Sequence, residues 1–165
     1  VKETLNNTPD YFFKAWASST GKYHPACTCV DGGLVRHVRR ATYIANRLCE
    51  GWGLFDLSRD IVLAAIIIHD IAKVPSGGNY AEYENHPIHA QKYFAVMEVS
   101  DSFPVEKAFP VQTGITNAVI HHMGRWTPKS VAKPIESYTL TELAVYTADY
   151  MATTKDLVTP EDTLE

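Results

Sequence analysis

Ile61-Val-Leu-Ala-Ala-Ile-Ile-Ile-His69-Asp70-Ile-Ala-Lys73 is the stretch on which the fold turns. Eight apolar residues run unbroken from Ile61 to Ile68, then meet a histidine, an aspartate and, three residues on, a lysine. A helix that is apolar all round belongs in a core, because only burial on every face suits it. His69 and Asp70 then set two adjacent metal-capable groups at the floor of whatever cavity lies beyond. The plainer alternative is a polar helix end whose lysine complements the dipole. The rest of the chain decides between them.

Working outward, the pattern stays helical. Upstream, Leu34, Val38, Ala41, Ala45 and Leu48 recur at spacings of four and three, which predicts a helix from near Gly33 to about Glu50, stopped by Gly51 and Gly53. Asp56 or Ser58 is the expected N-cap of the core helix. Ahead of these, residues 1–20 read as a polar lead and a short helix, with Thr8-Pro9 as cap and first-turn proline. Downstream, Pro75 to Tyr80 is a loop with hinge-like Gly77 and Gly78, and Tyr80, Tyr83 and Glu84 suit a lid. His86-Pro87 opens another helix with the stripe Ala90, Tyr93, Phe94 and Met97, and Ser100 to Pro110 is a connection. Val111 to Met123 is helical and Gly124 to Ser137 is loop. Thr139-Leu-Thr-Glu142 is a capping-box pattern opening the last helix. Neither repeats nor alternating strands occur. The expectation is one all-α domain over residues 1–165, its core about 20–155: a compact bundle of five main helices with a short N-terminal helix.

Composition sets bounds on function. The 165 residues carry a net charge of −4, which argues against bulk attachment to long duplex nucleic acid or an anionic membrane. Bound cations would still permit an acidic substrate. Three cysteines, Cys27, Cys29 and Cys49, make no disulfide framework. A reducing, cytoplasmic setting is the simpler expectation, since the start also lacks the apolar run of a secretory leader.

Seven histidines are present, and His37, His69, His86 and His121 fall at helix positions beside apolar stripes. Asp70 and Asp149 complete an ordered set in which every main helix contributes. Burying imidazoles and carboxylates without a cation would leave unpaired charge costing several kcal/mol. Four imidazoles and two carboxylates exceed what one ion needs and suit two cations roughly 3.5–4 Å apart. Asp70 is the natural bridge. Mixed nitrogen and oxygen ligation suits Mn, Fe, Co, Ni or Zn.

This set, His37, His69-Asp70, His86, His121 and Asp149, resembles the six-ligand form of the HD superfamily of metal-dependent phosphohydrolases, over about residues 20–155. His69-Asp-Ile-Ala-Lys73 is similar to the family signature, in which the lysine commonly meets substrate phosphate. His121-His122-Met-Gly124 is similar to the short histidine motif before the family's final aspartate. Tyr23-His24-Pro25 with Gly32-Gly33-Leu34-Val-Arg-His37 looks most like the HD domain of bacterial 3′→5′ exoribonucleases. Those pair it with a preceding OB-fold, for which this chain has no room, so processive RNA degradation is not expected. No Gly-Tyr-Pro follows Gly124, which leaves cyclic di-GMP hydrolysis unsupported.

The resemblance implies hydrolysis of a P–O bond in a nucleotide or short oligonucleotide through a metal-bridged hydroxide. Asp70, Lys73 and His122 are the catalytic candidates, His122 as proton donor. His24 and His89 are spare. Lys73, Arg40, Arg36, Arg125, Trp126 and Lys129 are the substrate-binding candidates, with Lys133 beside them in the loop. Arginines can clamp phosphate bidentately, and an aromatic beside basic residues can stack a base. An HD-type di-iron oxygenase and a non-catalytic nucleotide-binding sensor are the alternatives.

Overall fold

The computed structural model describes residues 2–18, 21–73, 84–94 and 105–163. Among them are six α-helices and no strand: α1 (Lys2–Asn6), α2 (Gly33–Trp52), α3 (Asp56–Ile68), α4 (His86–Phe94), α5 (Val105–His121) and α6 (Leu140–Ala152). The Gly77-Gly78 hinge, the Tyr80 and Tyr83 part of the expected lid, and Met97 lie outside the described residues.

The stretch from Ile61 to Lys73 sits at the centre. None of its residues is exposed, and Val62, Ala65, Ile66, Ile68 and Ile71 are fully buried. α3 packs against α2, α5 and α6, while α4 docks chiefly on α5. Small residues line these crossings. Ala41 and Ala45 of α2, Ala65 of α3, Ala90 of α4, Ala118 of α5 and Ala144 and Ala148 of α6 are all buried in one cluster. Alanines cost no side-chain entropy on burial and let backbones approach closely, so polar groups from five helices can reach one point.

Several boundaries differ from the expectations above. α2 runs through Gly51 to Trp52, and only Gly53 ends it, its N–H bonding back to the Cys49 carbonyl. Neither Asp56 nor Ser58 caps α3. Phe55 holds the N-cap position without a side-chain bond, and Asp56 is already the first helical residue, where its charge suits the dipole. The N-terminal helix is Lys2–Asn6, and Pro9 introduces only a 3₁₀ turn, Asp10–Phe13. That turn cannot lengthen, because the next backbone groups are engaged elsewhere: Ala17 N–H donates to Thr28 O, and Leu34 N–H donates to Ala15 O. α5 begins at Val105 rather than Val111 and carries Pro110 inside it. Pro110 and Phe109 face solvent, so the proline ring meets no packed neighbour on that side of the helix. The capping box at Thr139 and Glu142 forms as expected. No helix among the described residues is long and apolar enough to cross a membrane.

Candidate metal centre

His37 lies one turn into α2, His69 and Asp70 follow the last residue of α3, His86 opens α4, His122 follows α5, and Asp149 lies one turn before the end of α6. Their side chains converge, with Asp70 as the hub. Its Oδ1 lies 2.9 Å from His86 Nε2 and 3.6 Å from His122 Nε2. Its Oδ2 lies 2.8 Å from Lys73 Nζ, 3.5 Å from His69 Nε2 and 3.9 Å from His37 Nε2. Asp149 Oδ1 closes the other side, 2.9 Å from His37 Nε2 and 3.4 Å from His69 Nε2. The four rings and Asp70 are buried, and Asp149 is half-buried.

The ring orientations say what the cluster is for. His69 Nδ1–H donates to the Ile66 carbonyl at 2.7 Å, and His122 Nδ1–H donates to the Val119 carbonyl at 2.6 Å. In its neutral form His69 is left with an Nε2 lone pair turned towards Asp70 and Asp149 and no hydrogen-bond partner among the described residues, while His122 Nε2 meets His86 Nε2 at 3.1 Å. Lone pair against carboxylate is repulsive unless a cation stands between them. Three overlapping ligand groups result, each with ligand atoms within 4.8 Å of one another: His37, His69, Asp70; His69, His122, Asp149; and Asp70, His86, His122. Nitrogen and oxygen donors of this kind fit a divalent transition metal, and backbone-held Nδ1–H groups are the usual outer support of histidine ligands.

The electrostatics agree. Burial would raise the Asp70 carboxyl, but the Lys73 ammonium and then His69 hold it well below the usual range. Burial would likewise raise Asp149, and the His37 hydrogen bond and then the neighbouring His69 ring hold it down. Burial opposes charge on His69, yet the Asp70 carboxylate outweighs it and lifts the group to about 10. A proton held so firmly occupies a place the donor set reserves for positive charge. His37 and His86 are instead kept low by burial, and burial pushes His24, whose ring centre is 5.3 Å from that of His37, down to about 3.

The structure departs from the sequence assignments at four residues. His121 is not in the cluster. Its Nδ1 lies 2.8 Å from Asn117 O and 2.9 Å from Glu142 Oε1, and its Nε2 lies 3.2 Å from Val131 O. Successive helical residues point about 100° apart, so at the end of α5 only one of the pair can face the centre, and it is His122. His122 is therefore placed as a donor to the cluster rather than a free proton donor. Arg40 is no phosphate clamp. Its buried guanidinium donates to the carbonyls of Ala152 (3.0 Å), Thr154 (2.8 Å) and Leu157, and pairs with Asp162, so every prong is committed to the C-terminal segment. Lys73 stands beside the centre as expected, but it is buried rather than an exposed helix end.

Arg125, Trp126 and Lys129 are exposed, with the Arg125 guanidinium 5.4 Å from the centre of a Trp126 ring. Arg36 is half-buried. Lys133 binds Glu142 at 2.7 Å. Sequence reasoning passed over Glu142 as more than a capping residue, and no local signal marks its pairing with His121 and Lys133.

A family model described as HD domain matches residues 34–154, a span that holds His37, His69, Asp70, His86, His122 and Asp149. Comparison with curated proteins and with solved structures returned no match.

Proposed function

The chain belongs to the HD-domain family, and on that premise we propose that it is a metal-dependent phosphohydrolase cutting a P–O bond in a nucleotide or short oligonucleotide, with two divalent transition-metal ions at the cluster. The observation that carries the two-ion reading is the division of labour at Asp70. Oδ2 shares its surroundings with His37, His69 and, through them, Asp149, whereas Oδ1 is turned to His86 and His122. One carboxylate thus belongs to two donor groups at once. Paired ions of this kind polarise phosphoryl oxygens and activate water at neutral pH.

The protein's own groups do the rest. Asp70, Asp149 and the four imidazoles fix the donor geometry before substrate arrives. Lys73, 2.8 Å from Asp70 Oδ2, orients that carboxylate and places positive charge beside the reacting phosphate, where charge develops as the P–O bond breaks. The exposed Arg125–Trp126 pair suits a base and its phosphate. Mn, Fe, Co, Ni and Zn all match the donor set.

The test is metal analysis of protein prepared without chelator, joined to a hydrolysis screen over nucleotides and short oligonucleotides under anaerobic conditions with Mn or Zn. Near two ions per chain and oxygen-independent release of phosphate or nucleotide are expected. Turnover only with iron and dioxygen would replace this reading by a di-iron oxygenase. Tight nucleotide binding without turnover at metal saturation would replace it by a sensor.

A further inference from the structure

Two of the rings at the centre have a visible outer partner for Nδ1: Ile66 O for His69 and Val119 O for His122. His37 does not. Its Nδ1 is buried without a hydrogen-bond partner among the described residues, while its Nε2 bonds Asp149 Oδ1 at 2.9 Å. With Nε2 carrying the hydrogen, that bond is satisfied and Nδ1 is a bare acceptor. If Nε2 instead gives its lone pair to a metal, the hydrogen must move to Nδ1, where it needs an acceptor.

Another imidazole nitrogen nearby is in the same condition. Among the described residues His24 Nδ1 is also buried and unpartnered, and the His24 ring packs against that of His37 with centres 5.3 Å apart and planes inclined by 58°. The loop that carries His24 is firmly anchored. Thr28 binds the Pro25 carbonyl through both its N–H and its hydroxyl, at 3.0 and 2.8 Å. Thr28 in turn sits hard against Gly33, where a Cβ would come within 2.1 Å of the Thr28 carbonyl oxygen. His24 also lies outside the span that matches the family model.

We infer that His24 is the outer partner of His37: when His37 Nε2 binds metal, its Nδ1–H donates to His24 Nδ1, directly or through one water. His24 is thus a positioning residue that fixes the His37 tautomer and ring angle. The inference rests on the metal reading above and adds a residue to it.

The experiment measures affinity for Mn²⁺ alone by competition with a chelator, in wild type, His24→Phe and His24→Asn. Phenylalanine keeps the ring packing but has no acceptor, whereas asparagine keeps an acceptor. Loss of an outer partner typically weakens metal binding about 10–100-fold, so His24→Phe should fall in that range. Asparagine should recover part of the loss, and the melting temperature of the metal-free proteins should hardly change. A second readout is ¹⁵N NMR of His37 in the Zn²⁺-loaded wild type, where the hydrogen should sit on Nδ1, against Nε2 in the metal-free protein. If His24→Phe binds Mn²⁺ within about two-fold of wild type, against the larger loss expected for an outer partner, His24 merely packs and the inference is wrong. If wild type binds neither Mn²⁺ nor Zn²⁺, the metal reading falls first and this one with it.

Discussion

His121 and His122 differ by one peptide unit and by everything else. His122 faces the cluster, while His121 turns to Glu142 and Val131. His122→Ala is therefore expected to lose most of one metal equivalent, and His121→Ala to keep both while losing fold stability, as metal analysis beside urea denaturation would show. Periodicity fixed neither assignment, because at a helix terminus both residues border the apolar stripe and only tertiary partners choose. Arg40 misleads in the same way. A basic residue one turn after His37 resembles a phosphate clamp, but its acceptors lie 112–122 residues away in sequence, beyond any local pattern. His69 and Asp70 were legible because polar residues closing an apolar helix have few other reasons to be there, and His37 because it borders the buried stripe of α2. Lys73 carries a further prediction at this scale. Breaking a buried ion pair costs about 3–5 kcal/mol when the remaining charge is left uncompensated, and Asp70 would be that charge in Lys73→Met. Metal should supply the missing compensation, so the variant should melt well below wild type with chelator and much closer to it with Mn²⁺. Equal deficits in both conditions would show that Asp70 does not face the ions.

Among elements, the connection after α5 is fixed by contacts a sequence barely hints at. Gly124 adopts φ +57°, and a Cβ there would come within 2.3 Å of the Tyr146 ring. Tyr146 lies on α6 one turn before Asp149, so the loop that follows His122 is seated on the helix that carries the opposite carboxylate. Gly124→Ala combines a left-handed backbone with that clash and should cost about 1–3 kcal/mol. Adding Tyr146→Ala should return part of the loss, and a double-mutant cycle in urea reads the coupling. If the two effects simply add, the contact is not what makes glycine necessary. Helix existence and order were readable from the stripes, and the capping box placed the start of α6 to the residue. The start of α5 was not readable, because Pro110 looks like a boundary until its side chain is seen to face solvent.

At the level of the whole molecule, the centre makes stability depend on pH and metal together. Without metal, His69 is lifted from 6.5 to about 10. A group raised on folding stabilises fully below its unfolded value, and that contribution fades as pH climbs through the folded value. Metal-free protein should therefore lose stability between pH 6.5 and about 10. His37 and His86, held low, act on the acid side, where their contribution is lost as pH falls. With Mn²⁺ or Zn²⁺ bound, the ion takes the proton's place and the alkaline loss should disappear, because metal binding strengthens as ligands deprotonate. Urea midpoints at the two ends of that range, with and without chelator, would show it; identical slopes would contradict a cation site at His69.

The Arg40 anchorage also bears on the order in which the molecule can be made. Among the described residues, the guanidinium buried on the second helix finds its acceptors at Ala152, Thr154, Leu157 and Asp162. A chain growing from its N-terminus would carry that charge unpaired until the last of these residues emerged. Packing around Arg40 before those acceptors emerge would bury its guanidinium unpaired, so this part of the core is expected to close only once residues 152–162 are available.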